Sequence, residues 1–296
     1  NIEKVSQIHV FRLIKKFIAP STSLYSVFFA NIPIMNGKAR SESPEQIKKR
    51  IIELFNENVR GRISDTSGSN ADHDGKDGHW LEKQMGIKHN GNNAPDLDGF
   101  EMKNNTTSKT TFGDWSPSRR FRIYKKGNEY EINRSMFLKI FGAPNALKEG
   151  RHSWSGKPVP KVGKYNFFGQ MLKVDKEGNI HALYSYDKDQ RENKNNIVPE
   201  SLQQNDLILA VWDAEMMKKR VEDKFNKLGW FKCEKDKNGV YSKIVFGNPI
   251  NFETWIDGVR KGLIFFDSGM YDGNPRPYAN WRATNQYWES LIVDSY

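Results

Sequence analysis

Asp96, Glu101 and Lys103 stand in the stretch PDLDGFEMK, and their types and spacing suit the cutting of a phosphodiester. Two carboxylates can hold a hard cation such as Mg²⁺ through oxygen, and a lysine can sit beside the water that attacks. On a β-strand, residues two apart point to one face. Glu101 and Lys103 therefore project together while Met102 packs into the core. Asp96 lies five residues before Glu101, an offset that a regular strand would send to the opposite face. Asp98-Gly99 is a turn or bulge signal that can bring it back. Asp98 is itself a competing ligand, ranked below Asp96 because Asp96 follows the proline.

An acid–x–lysine pattern on a strand is ordinarily a solvated face, so the elements around it carry weight. Upstream, GHWLEKQMGI reads as a short helix with Trp80, Leu81 and Met85 on its apolar side and Gly86 as its stop. It carries Glu82. A carboxylate on a helix packed against strands can complete a metal site.

The run GHWLEKQMGIKHNGNNAPDLDGFEMK resembles the MvaI/BcnI family of restriction endonucleases, with a more distant likeness to the mismatch-repair nicking enzyme MutH and to Sau3AI. The resemblance is specific over residues 78 to 103 and vague elsewhere. It implies an α/β fold with a restriction-endonuclease-like PD-(D/E)xK core, in which helices flank a mixed central sheet, and a second, DNA-recognition lobe. Asp96 and Glu101 would be the metal ligands, Lys103 the water-activating or water-positioning group, and Glu82 an accessory acid. Mg²⁺ is the expected cofactor and double-stranded DNA the expected substrate, cut at a short specific site to leave 5′-phosphates. A clamp-like monomer nicking each strand in turn is implied, with a cognate DNA methyltransferase as a separate protein. Family targets are short pseudo-palindromes of the CC-W-GG or CC-S-GG kind.

Composition agrees with a polyanionic partner. Lys+Arg number 46 against 36 Asp+Glu, a formal charge of +10, which attracts nucleic acid through counterion release. One cysteine, Cys233, excludes an intramolecular disulfide and a Cys-based zinc site and fits a cytoplasmic location. The six histidines show no metal-binding spacing; His79 and His89 flank the motif and could touch a phosphate. The longest apolar run, 24–35, is too short and too interrupted to span a bilayer, so no membrane partner is expected. No Walker A loop, dinucleotide-binding glycine pattern or methyltransferase-like motif is present.

The expected domains are 1–42, an extension packed on the core with a helical stripe at 8–18 and a strand at 24–30; 43–125, the catalytic core; and 126–296, the remaining core elements and the recognition lobe. Ser43-Pro44-Glu45-Gln46 is a helix start with a capping box. The polar, glycine-rich run 61–78 either closes over DNA or is simply flexible. After the motif, Arg119, Arg120 and Arg122 interleave with Trp115, Phe121 and Tyr124, suiting phosphate contact. Hairpins are expected across 176–179 and at Asn238-Gly239. A buried strand at 207–211 should feed a basic helix over 213–227 capped by Asp213, which carries Lys224 on what is ordinarily a solvated face. The segment DSGMYDGNPRPYANWRATNQYW reads as a loop whose Arg276, Asn280 and Arg282 could read bases, with an aromatic-anchored structural loop as the alternative.

Two further functions compete. A MutH-like enzyme of DNA repair would nick one strand and need a partner protein. A DNA-binding module would bind without metal-dependent cleavage, and the intact set of Glu82, Asp96, Glu101 and Lys103 argues against it.

Overall fold

The expected motif strand is present as Phe100–Asn104, and its alternation decides what each face of its sheet does. In this computed structural model the described residues are 42–67, 75–87, 93–120, 122–125 and 128–296, with 122–125 and 128–131 described by backbone alone. The expected elements at 8–18 and 24–30, the middle of the 61–78 run (68–74), His89, and the side chains of Phe121, Arg122 and Tyr124 lie outside the described residues.

The motif strand is the edge of a four-stranded mixed sheet. It pairs in parallel with Gly229–Lys235, and Tyr241–Gly247 and Ile292–Ser295 come next in antiparallel order. Phe100 and Met102 face a core shared with Ile51, Phe55, Leu81, Met85, Phe231 and Phe246. That core is supplied by two helices, Pro44–Asn58 and Lys76–Gln84. The first begins at the expected capping box, with the Ser43 and Gln46 side chains bonded reciprocally to the backbone. The second is stopped at Gly86, whose φ of +70° suits glycine. Trp80 of this helix stacks on Tyr241, and Lys235 pairs with Asp77 at 2.7 Å, fastening the helix to the sheet.

Glu101 and Lys103 project from the other face. There the helix Ala214–Phe225 buries Met217, Val221 and Phe225, a stripe at i, i+4 and i+8. It starts where expected, but Asp213 makes no side-chain cap; its carboxylate accepts from Arg119 at 3.3 Å instead.

Two antiparallel sheets continue this side. Ile264–Ser268, Ala279–Thr284 and Lys109–Asp114 form one. Arg119–Arg120, Leu207–Trp212, Ile180–Asp189 and Phe168–Val174 form the other. Their aromatic core joins Trp212, Trp230, Trp255, Trp281 and Trp288. Both expected hairpins are present. At Asn238-Gly239 only the glycine takes positive φ, and the Asp236 side chain accepts from the backbone of Asn238 and Val240. Among the described residues no helix is long and apolar enough to cross a membrane.

Candidate active site

The Asp98-Gly99 turn does what its sequence asks. Asp98 and Gly99 take φ of +46° and +96°, and Leu97 and Phe100 exchange both backbone hydrogen bonds at 3.0 and 2.8 Å. Paired positive φ values mark the tight turn for which Asp-Gly is preferred. The turn folds Asp96 back beside the strand, where its Oδ2 accepts from the Met102 amide at 3.0 Å. The five-residue offset is thereby undone. Asp98 points elsewhere, pairing with Arg50 at 2.8 Å on a surface helix, so it is a brace for the turn rather than a rival ligand.

Glu101 is the centre of the cluster and only 2 % exposed. Its Oε1 accepts from Lys103 Nζ at 2.8 Å and is 2.9 Å from Lys224 Nζ. Its Oε2 is buried without a hydrogen-bond partner. Leaving one oxygen of a buried carboxylate bare is costly, and such an atom calls for an explanation.

Burial first, and then the neighbouring Glu101, push the Asp96 carboxyl up to about 6, against the pull of Lys224 and Lys103. Burial first, with a contribution from the Lys224 charge, draws Lys103 below the ordinary lysine range. Lys103 also lies 5.0 Å from the Phe225 ring, which walls it from solvent.

Two hard oxygen donors beside an unsatisfied oxygen fit a divalent cation. Among the described residues no group of three or more His, Cys, Asp or Glu is placed to hold a metal.

Lys224 is the residue the sequence does not single out. Its basic helix has the pattern of a solvated face, yet Arg220 and Lys224 share one flank and line a cleft together with Asn93, Asp114, Arg120 and Arg276. Asn93 ties the cleft walls together: its amide donates to the Arg220 carbonyl at 2.7 Å and accepts from the Trp115 indole at 3.0 Å. Trp115 is therefore a buried strut in the wall of the cleft. A second cavity of about 100 Å³ lies between Trp154, Trp212 and Phe266; no acidic residue lines it among the described residues, and it is a packing hollow.

The other expected residues separate. Arg119 and Arg120 are exposed, Arg119 paired with Asp213 and Arg120 on the cleft. Arg276 reaches the cleft from the late loop, its guanidinium bonded to Asp114. Asn280 and Arg282 are not on a loop at all: they lie on the strand Ala279–Thr284, whose Trp281 is fully buried. Arg282 is held 3.2 Å from Asp267. Glu82 is half-buried and lines a hollow with His79, Lys83 and Ile87 on the helix that packs against the opposite face of the motif strand.

Known proteins resemble this chain in sequence and in fold. The family model described as LlaMI restriction endonuclease matches residues 59–296. The chain is 47% identical over 266 residues to the type II restriction enzyme ScrFI of Lactococcus lactis subsp. cremoris, covering 83% of this chain and 97% of that one. Among solved structures, restriction endonuclease MvaI in complex with its cognate DNA substrate superposes with a TM-score of 0.54 at 12% identity, over 86% of this chain and 98% of that one. That likeness shows a restriction-endonuclease-like fold, as the sequence resemblance implied. With the family model and the ScrFI relative, it places this chain in the LlaMI restriction endonuclease family, a family of type II restriction endonucleases.

Proposed function

We propose that this chain hydrolyses both strands of duplex DNA at a short specific sequence with Mg²⁺, leaving 5′-phosphates. Asp96 and Glu101 hold the cation, and the bare Glu101 Oε2 is the observation that carries the assignment. When bound, the cation supplies Lewis-acid charge at the scissile phosphate. The chain's own groups do the rest. Lys103, fixed at Glu101 at 2.8 Å, orients the attacking water. Arg120, Arg220 and Arg276 line the cleft where the phosphate backbone would run. Glu82 is retained as an accessory acid on the family resemblance alone, since its helix packs on the opposite face of the motif strand from Glu101 and Lys103.

The resemblance carried by residues 78 to 103 implies a monomer that nicks each strand in turn. A separate methyltransferase would protect host sites in the cytoplasm. The test is a digest of unmethylated phage DNA with Mg²⁺ or EDTA, alongside Lys103→Ala. Discrete Mg²⁺-dependent fragments lost in the variant support the reading, and end sequencing gives site and stagger. Nicked circles alone would favour a MutH-like enzyme, and binding without cleavage would sink the assignment.

A further inference from the structure

The charges at Glu101 balance without any metal. Asp96 and Glu101 supply two negative groups, and Lys103 and Lys224 two positive ones. A divalent cation joining them would leave a surplus of two positive charges in a buried, low-dielectric spot, where like charges repel strongly. One ammonium has to go. Lys103 is poorly placed to leave, being 9 % exposed, bonded to its own strand neighbour and walled by Phe225. Lys224 is more open at 17 %, and its helix flank already lines the cleft beside Arg220. A lysine stem of four rotatable carbons lets its tip move without moving the helix.

From this we infer that Lys224 is a resident counter-ion: it neutralises the Glu101 carboxylate through Oε1 in metal-free protein and swings into the cleft, onto a DNA phosphate, when the cation arrives. The inference rests on the carboxylate cation site proposed above. It gives Lys224 two successive partners, a carboxylate and then a phosphate. It also makes cation binding and DNA binding help one another, because each makes the lysine's departure from Glu101 less costly.

The deciding experiment is a Mn²⁺ titration of DNA-free protein, read by loss of the free-ion EPR signal, on wild type, Lys224→Met, Arg220→Met and Glu101→Gln. Arg220 is a cation on the same flank with no bond to Glu101, so its variant reports the general field. Lys224→Met should bind Mn²⁺ roughly tenfold or more tightly than wild type, against about threefold or less for Arg220→Met. Equal shifts in the two would overturn the displacement. Glu101→Gln should lose the site; unchanged binding there would instead sink the carboxylate reading itself. A second readout is the affinity for a short duplex in EDTA and in Ca²⁺, by fluorescence anisotropy. Lys224→Met should weaken binding severalfold in Ca²⁺ and leave it unaltered in EDTA. Equal weakening in both would mean that the lysine already sits on phosphate, and would overturn the inference. Lys224→Gln repeats both measurements with a polar uncharged tip, so a folding defect in one variant does not decide the outcome.

Discussion

The motif segment 95–103 and the late segment 267–282 are both short, turn-rich and charged, yet they treat their charges in opposite ways. In the late segment each arginine has its acid. Arg276 is bonded to Asp114, and Arg282 and Lys109 both lie against Asp267. In the motif segment the carboxylates crowd together, Asp96 is pushed toward neutrality and an oxygen of Glu101 has no donor. A protein can hold bonded pairs anywhere; it keeps a set mismatched in donors and acceptors, with a buried carboxylate oxygen left bare, where something else is to bind. The contrast supports the proposal that the chemistry belongs to the first segment, with the second serving as scaffold and DNA contact.

Breaking the mismatched set should have the largest consequence. Glu101→Gln and Lys103→Ala should each lower the cleavage rate on the order of a thousandfold or more, measured under single-turnover conditions. Wild-type-like rates in either variant would end the comparison. Asp96→Asn tests the stored cost directly. A carboxyl raised from 3.8 to about 6 has its ionised form disfavoured in the folded state. Stability is thus fullest below the unfolded value and declines as pH rises through about 6. In EDTA at pH 8 the asparagine variant should be more stable by about 3 kcal/mol at most, at 1.36 kcal/mol per unit, with the gain vanishing below about pH 4. Denaturant titrations at the two pH values measure it, and a variant less stable than wild type at pH 8 would refute the strained-carboxylate account. At limiting Mg²⁺, wild-type cleavage should fall as pH drops below about 6, since protonated Asp96 no longer offers a full charge to the cation.

Changes in the balanced segment should be milder and should divide by position. Arg276→Ala, on the exposed loop, should cost roughly tenfold in duplex affinity and reduce the salt slope by about 1, leaving the melting temperature in place. Arg282→Ala should instead destabilise the fold by about 1 kcal/mol, because it removes one of the two cations at Asp267, beside a buried tryptophan, and leaves Lys109 as the other. A reversed pattern would put base contact on the strand after all. The smallest effect belongs to Asp98→Asn. It keeps a residue that tolerates positive φ and loses only a half-exposed pair, so stability should change by less than about 1 kcal/mol and cleavage by less than about twofold. A large loss of cleavage would restore Asp98 as a ligand.

How much the sequence reveals depends on how local the physics is. The capping box of Ser43, the stop at Gly86 and the Asp98-Gly99 turn are decided within a few residues, and all three form as their residues specify. The return of Asp96 to the strand is a product of that turn. Lys224 is hidden because its partner is on a strand far away in the chain, and a basic flank on an amphipathic helix looks alike in water or in a cleft. A weak signal does exist: Arg220 and Lys224 are four apart, beside the Met217–Val221–Phe225 stripe. Asn280 and Arg282 look like loop residues because the Gly, Pro and Asn of 268–278 lead directly into them. The alternation of Ala279, Trp281 and Ala283 with polar residues is the strand signature. Asp213 shows the limit of propensity, since a nearby arginine outcompetes the helix amides for its carboxylate.

The parallel pairing of the motif strand has a consequence for synthesis. Its strand neighbour is Gly229–Lys235, and the helix bearing Lys224 comes just before that strand. A ribosome that has finished PDLDGFEMK has made both carboxylates and Lys103 but nothing to seat them against. The strand would remain unpaired until most of the remaining polypeptide had emerged. A growing chain of this nuclease therefore completes the cluster of Asp96, Glu101, Lys103 and Lys224 only after the helix 214–225 has been made.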